Sequence, residues 1–250
     1  MYYTCVLTIK FPPARFRQYL KIAVFHRCRQ RKHPSKPIHQ DLTMTSNPNP
    51  TWIEINLSHI ENNTRYVLKH TGVDALAVVK TNAYGHGSVE CGKAALRAGS
   101  RMLAVVRLGE RAELREASIT APVMIFGGAL EAQIDQAIAL TAVLPVYDAG
   151  LAKIWSARAL AVRRKLPVHL KIDTGMGRFG VFPDQALEFA RFISTLEGLQ
   201  IEGVMSHMAV TGNEGNLDGK TMIKRFKGVL ETLKAAGIDP HWKHMASSSA

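Results

Sequence analysis

The sequence predicts an α/β fold of the (β/α)8-type barrel class, in an incomplete form. From Trp52 onward, short apolar runs alternate with segments of helical periodicity, which is the pattern of parallel sheets and barrels. The later apolar runs are continuous, as expected for strands that are buried on both faces. About seven of them fit between residue 74 and residue 250, whereas a closed barrel has eight parallel strands.

The predicted elements follow one another in order. Residues 52–57 alternate apolar and polar side chains and predict a half-exposed N-terminal strand. Residues 58–61 form a Ser-His-Ile-Glu capping box, which predicts a helix to about Lys69. Barrel strands are expected at residues 75–79, 102–106, 123–126, 142–146, 168–172, 201–205 and 242–246, with helices between them at about 89–98, 109–117, 131–140, 149–160, 183–196 and 220–236.

Positive charge is concentrated at the N-terminus. The formal net charge is +12, but nine of the 32 lysines and arginines lie in residues 1–43 beside one acidic residue, Asp41. The rest of the chain has 23 basic and 19 acidic residues, so we expect no nucleic-acid partner for it. We predict that residues 1–43 are a basic extension, either disordered or translated from upstream of a start at Met44; a basic arm or a transit peptide is the alternative. Residues 44–250 are the predicted barrel domain.

Cysteine, histidine and hydropathy patterns exclude several classes of protein. Cys5, Cys28 and Cys91 are widely spaced and odd in number, so neither a disulfide framework nor a zinc knuckle is indicated. His241 and His244 form a close pair but not a zinc ligand set, and we expect no metal. Because no apolar run has the length of a transmembrane helix, we expect a cytoplasmic protein with no membrane partner.

The most specific segment is AVVKTNAYGHG, residues 77–87. It places Lys80 directly after a buried strand and before a loop with two glycines. In a barrel, such a lysine lies at the C-terminal mouth, where barrel enzymes place their chemistry. Its amine is suited to form an imine with an aldehyde cofactor. Taken alone, Lys80 would more simply be a solvated lysine at a strand end.

Three segments together resemble the alanine racemases, a family of pyridoxal-phosphate enzymes on a (β/α)8 barrel. AVVKTNAYGHG is similar to the cofactor-lysine signature of that family. HLKIDTGMGRFG, residues 169–180, is similar to a second signature, and WIEINLSHIENN, residues 52–63, resembles the start of the family's chains. The resemblance covers about residues 52–250, and each of the two long motifs is specific.

The resemblance implies pyridoxal phosphate as the cofactor. Lys80 matches the lysine that holds this cofactor as a Schiff base and moves the substrate's α-proton on one face. Tyr84 matches the tyrosine that bonds the cofactor phosphate. Arg178 matches the arginine that contacts the cofactor's phenolic oxygen and the substrate carboxylate, a task for which a planar guanidinium is suited.

Further matches complete the expected site. Lys171 matches a lysine that some family members carry as a carbamate, and a plain ion-pair role stays equally open. His207 matches a histidine in the network beneath the pyridine ring, where we expect it to orient and not to act as a base. Ser248 matches a serine that bonds the phosphate. Ser247 departs from the family, which usually has asparagine there, and this puts substrate positioning in doubt.

The implied reaction interconverts L-alanine and D-alanine and supplies D-alanine for peptidoglycan, in a homodimer. Racemisation needs an acid/base group on each face of the α-carbon. In the family the second group is a tyrosine from a C-terminal β domain of the partner subunit. We expect that domain to be absent from this chain, together with the eighth strand and the family's arginine to the pyridine nitrogen. The N-terminal strand would belong to the same missing domain.

This chain alone is therefore expected to show little racemase activity. Three alternatives stay open at this stage. The first is a non-catalytic pyridoxal-phosphate-binding barrel, and the second is a racemase of another small amino acid such as serine. The third is a nucleic-acid-binding protein that uses residues 1–43.

Overall fold

Parallel strands and the helices between them make up most of the structure, a computed structural model that describes residues 54–208 and 219–246 and the backbone of residues 7–9. The strands are β1 (Leu7–Ile9), β2 (Ala75–Val78), β3 (Met102–Val105), β4 (Val123–Ile125), β5 (Leu144–Val146), β6 (Leu166–Lys171), β7 (Leu199–His207) and β8 (Trp242–Ala246). The helices are α1 (Leu57–Thr71), α2 (Lys80–Gly85), α3 (Ser88–Arg97), α4 (Leu108–Glu116), α5 (Ile134–Ala139), α6 (Ala149–Ala161), α7 (Ala186–Ser194) and α8 (Gly219–Ala235), with a 3-10 turn at Glu131–Gln133.

Strands β2 to β8 are parallel and are neighbours in chain order. Together with β1, which pairs antiparallel with β2, they form two four-stranded sheets in the orders β1-β2-β3-β4 and β5-β6-β7-β8. A parallel bridge between Met124 and Val143 joins the two sheets, with hydrogen bonds from Ile125 N to Val143 O at 2.9 Å and from Val143 N to Val123 O at 3.0 Å. The predicted α/β barrel with about seven strands is confirmed.

Successive side chains of each strand point to opposite faces of the sheet, although the strand sequences are uniformly apolar. Ala77 and Val79 pack with the surrounding helices in the larger buried cluster, whereas Leu76 and Val78 belong to a second cluster with Met102. Because successive strand residues point to opposite faces, this second cluster fills the interior of the barrel. The two clusters explain why continuous hydrophobic runs, and not alternating ones, encode these strands.

The predicted strand at residues 52–57 is wrong in its described part. Glu54 to Asn56 lie in no strand, and Leu57 begins α1. Asn56 is the N-cap of α1, because its Oδ1 accepts a hydrogen bond from Ser58 N at 3.0 Å. A side-chain cap of this kind competes with extended pairing, so the alternating sequence gives way to a helix whose N-cap lies two residues before the predicted cap, Ser58.

Other predicted boundaries differ from the structure by a few residues, and β8 has the predicted bounds. The predicted helix at 131–140 is divided into the 3-10 turn and α5, and the predicted helix at 183–196 begins only at Ala186. The proposed extension, residues 1–43, lies outside the described residues apart from the backbone of β1, so that domain boundary stays a prediction. In the described part of the chain, no helix is both long and apolar enough to cross a membrane.

Candidate active site

Lys80 lies at the carboxyl end of β2 and begins a single unusual turn. Thr81, Asn82, Ala83 and Tyr84 have φ angles of 54°, 52°, 51° and 57°, so four consecutive non-glycine residues adopt the left-handed conformation. For L-residues this costs roughly 1–2 kcal/mol per residue. Such strain persists only where surrounding contacts over-determine the backbone, and it concentrates at functional sites.

Several hydrogen bonds hold this turn. Ala83 N donates to Val79 O at 2.9 Å, and Gly87 N donates to Asn82 O at 2.9 Å. The side chain of Asn82 accepts from Ser88 N at 2.8 Å, which fixes the far end of the turn to the start of α3. The result places Lys80 Nζ 5.8 Å from the centroid of the Tyr84 ring. The two residues that the sequence singled out in this motif therefore lie together.

The DTGMGR segment after β6 forms a tight loop around Asp173. Asp173 Oδ1 accepts from the backbone N–H groups of Gly175 at 2.9 Å, Met176 at 2.8 Å and Gly177 at 3.2 Å. Burial alone raises the pKa of Asp173, but these three N–H groups and the charge of Lys171 hold it below its usual value. The loop is thereby fixed by an ionised carboxylate, and Arg178 follows it as an exposed side chain at the mouth.

Lys171 is a buried lysine in the barrel interior, with 8% of its surface exposed. Burial lowers its pKa to about 8; Asp173 works against this shift and the charge of Arg178 adds to it. Roughly a tenth to a fifth of a lysine with such a pKa is neutral near physiological pH, far more than for an ordinary lysine. Lys171 therefore combines nucleophilic character with a position close to Arg178.

His207, at the end of β7, links the predicted residues electrostatically. Burial, followed by the charges of Lys171, Arg178 and Lys80, lowers its pKa to about 4, although a backbone hydrogen bond with Ala246 opposes this shift. His207 is therefore neutral at physiological pH, which suits an orienting group and not an acid. The structure thus brings Lys80, Tyr84, Lys171, Arg178 and His207 to one end of the barrel. Ser248 and Ser247 lie outside the described residues.

A buried histidine pair was not predicted as part of the site. His169 Nδ1 and His244 Nε2 share a hydrogen bond of 2.8 Å, and both side chains are buried. The bond spans β7 at Gly203, where a Cβ atom would lie 2.7 Å from the His169 ring. Burial, followed by the charge of His244, holds the pKa of His169 well below its ordinary value, and burial, followed by the charge of Lys171, lowers the pKa of His244 to about 3. Both rings are therefore neutral.

Sequence carried a weak signal for this pair. In β6, His169 and Lys171 alternate with Val168 and Leu170, which marks two polar side chains on the interior face of an otherwise apolar strand. For His244 the sequence shows only its spacing from His241, which is not that of a zinc ligand set. Among the described residues, no group of three or more histidine, cysteine, aspartate or glutamate side chains could hold a metal ion.

An α/β barrel that collects amines, a guanidinium and a neutral histidine at the carboxyl ends of its strands belongs to the class that carries a small-molecule site in its mouth. Comparison with known proteins identifies the family. The model of the alanine racemase N-terminal domain matches residues 55–250. The chain belongs to this family.

Individual relatives agree with that assignment. The alanine racemase of Desulforamulus reducens is 39% identical over 204 residues, which are 80% of this chain and 55% of the relative. A solved structure of the alanine racemase of Clostridium difficile 630 superposes with a TM-score of 0.74 at 30% identity, over 82% of this chain and 55% of the other. The complex of that enzyme with cycloserine superposes with a TM-score of 0.69 at 29% identity, over 76% of this chain and 52% of the other. The chain thus spans about half the length of the relatives it matches.

Proposed function

We propose that this chain provides the cofactor-binding half of a pyridoxal-phosphate-dependent amino-acid racemase, with Lys80 as the lysine that holds the cofactor. The observation that carries the proposal is the cluster at the barrel mouth, in which the charges of Lys80, Lys171 and Arg178 all act on His207. A primary amine among additional cations fits an anionic aldehyde, because the amine can form an imine while the cations favour the phosphate and a substrate carboxylate.

Each side chain has a distinct task in this proposal. Lys80 Nζ takes or returns the α-proton of the amino acid on one face. Tyr84 donates its hydroxyl to the phosphate, and Ser248 is a second phosphate ligand by resemblance to the family. Arg178 binds the substrate carboxylate. Neutral His207 helps to orient the cofactor's pyridine ring, beneath which it lies by resemblance to the family. When bound, pyridoxal phosphate supplies the electron sink that makes the α-proton acidic enough to leave.

Alanine is the proposed substrate, and a homodimer is the proposed assembly. The relatives are alanine racemases, and one of the similar solved structures is a complex of such an enzyme with cycloserine. The product D-alanine would serve peptidoglycan synthesis. Because the second proton-transfer group must act on the opposite face of the α-carbon, the proposal includes such a group from the partner subunit, as in the family.

Proton exchange tests the role of Lys80 without requiring that second group. L-alanine and D-alanine are each incubated with the protein and pyridoxal phosphate in D2O, and NMR follows the loss of the α-proton signal. We expect exchange of at least one enantiomer to exceed that caused by free pyridoxal phosphate and to disappear in Lys80→Arg. Lys93→Arg, on α3, is the control. Equal exchange rates in the Lys80 variant and the wild type would contradict the proposal.

We further propose that the neutral form of Lys171 reacts with carbon dioxide. A carbamate would replace a cation beside Arg178 with an anion, and the lowered pKa of about 8 makes the reactive free amine available. Carbon-13 NMR in labelled bicarbonate should show a carbamate signal that is missing in Lys171→Ala. A spectrum in which both proteins give the same signals would leave Lys171 as an ordinary lysine.

A further inference from the structure

We propose that Glu110 is a positioning residue for Lys80, because its carboxylate ties the left-handed turn after Lys80 to the loop after β3. The inference rests on the proposed function, in which Lys80 holds the cofactor. It adds a residue from a different helix, α4, to the determinants of that site.

Both carboxylate oxygens of Glu110 contact backbone N–H groups. Oε1 accepts a hydrogen bond from Thr81 N, the residue directly after Lys80. Oε2 accepts from Val106 N at 2.8 Å and from Arg107 N at 2.9 Å. An ionised carboxylate is an acceptor at both oxygens, and N–H bonds to it are stronger than neutral ones. One side chain therefore joins the backbones that follow β2 and β3.

The turn needs support at this point. Thr81 is the first of the four left-handed residues and is β-branched, so its backbone conformation is unfavourable by itself. The bonds of Asn82 to Gly87 and Ser88 hold the far end of the turn. The bond from Glu110 holds the near end, next to the lysine. Thr81 N belongs to the planar peptide unit that begins at Lys80 Cα. A hydrogen bond that fixes Thr81 N therefore also restricts the orientation of Lys80 Cα, which carries the side chain.

Helix capping accounts for only part of this arrangement. Glu110 is the third residue of α4, and its bond to Arg107 N is the glutamate half of a capping box. That role requires one oxygen. The bond to Thr81, 29 residues away in sequence, contributes nothing to the cap and reaches the turn that carries the cofactor lysine.

Glu110→Gln separates the two roles. A glutamine at this position keeps a carbonyl oxygen for Val106 and Arg107, as capping boxes allow, but turns an N–H2 group toward the Thr81 N–H. Two properties of the full chain are compared: amide hydrogen exchange across residues 80–87 without cofactor, and the rate at which added pyridoxal phosphate forms an imine at Lys80. Glu113→Gln, on an exposed position of the same helix, is the matched control.

In the Glu110→Gln variant we expect the amide hydrogens of residues 80–87 to exchange about tenfold faster and the imine at Lys80 to form about tenfold more slowly. The amides of α4 should keep their protection from exchange. Unchanged exchange in the turn, an unchanged imine rate, or loss of protection in α4 to the same extent would each overturn the positioning role. If borohydride fails to trap cofactor on Lys80 of the wild type, the proposed function fails instead, and the exchange comparison still decides whether Glu110 holds the turn.

Discussion

The two halves of the barrel interior have different chemistry although similar apolar strands encode them. Interior positions of β2 to β4, together with Val143 directly before β5, are apolar: Leu76, Val78, Met102, Ala104, Met124 and Val143. Interior positions of β6 to β8 include His169, Lys171 and His244, all buried. The apolar half is stabilised by burial without hydrogen-bonding requirements, whereas the polar half loses hydration and needs specific partners. The comparison indicates that the apolar half mainly supports the barrel, whereas the polar half adds buried Lys171 and half-buried His207 to a site whose lysine, Lys80, follows β2.

Truncation in the apolar half should have the largest effect on stability. Met124 is fully buried, and Met124→Ala leaves a cavity in a region with no polar group to hydrate it. We expect the free energy of unfolding in urea to fall by about 3 kcal/mol. Leu130→Ala, at a side chain that is 68% exposed, should change it little. Equal effects of the two substitutions would contradict the assignment of Met124 to the barrel core.

A methyl group in the polar half should be nearly as disruptive. At Gly203 a Cβ atom would lie 2.7 Å from the His169 ring, which is buried and bonded to His244. We expect Gly203→Ala to lower the free energy of unfolding by about 2.5 kcal/mol through overpacking. Gly228→Ala in α8, where a Cβ atom meets nothing within 4 Å, should be neutral or slightly stabilising. A Gly203 variant as stable as the Gly228 variant would mean that His169 does not cross β7.

Lowering the pH should destabilise the fold through the buried histidine of the polar half, His244. The folded-state pKa of His244 is about 3, against 6.5 for a free imidazole, so the unfolded chain binds this proton more readily between those values. Stability is therefore lost as pH falls below about 6.5, and we expect this histidine to contribute about 2 kcal/mol of loss between pH 7 and pH 5. Urea unfolding of His244→Gln should show a correspondingly weaker pH dependence. His70→Gln, at an exposed position of α1, should keep the wild-type dependence.

The smallest effect on stability is expected for the buried hydroxyl pair, Thr174 and Ser206, next to the loop that carries Arg178. Thr174 and Ser206 share a buried hydrogen bond of 2.8 Å between their hydroxyl groups, and Ser206 also donates to Ile172 O. Thr174→Val should lower the free energy of unfolding by about 1 kcal/mol and loosen the loop. Thr232→Val, at an exposed hydroxyl of α8, is the control. A loss no larger than that of the control would show that the hydroxyl pair adds nothing to stability.

Much of the fold follows from local sequence. The bounds of β8 are as predicted, and Lys80, Arg178 and His207 lie at the strand ends where a parallel barrel collects its side chains. The features that sequence did not predict depend on tertiary structure. Thr81 to Tyr84 adopt a left-handed backbone conformation that non-glycine residues disfavour. Contacts with residues distant in sequence, such as that of Glu110 with Thr81, stabilise this turn.

The histidine pair is a second example of this limit. His169 reaches His244 only because the register places Gly203 between them, and that register is set across three strands. The N-terminal strand was mispredicted for a different reason: alternation in residues 52–57 ends in an asparagine that caps a helix. Local periodicity does not decide between these outcomes, whereas the side-chain cap does.

The most direct test of the account locates the cofactor on the chain. The protein is incubated with pyridoxal phosphate, reduced with borohydride and mapped by mass spectrometry of its peptides. We predict that the label lies on Lys80 and that Lys80→Arg abolishes it, with Lys171 unlabelled because it is buried beneath the mouth. A label on Lys171 or on surface lysines, with Lys80 unmodified, would contradict the assignment of the site.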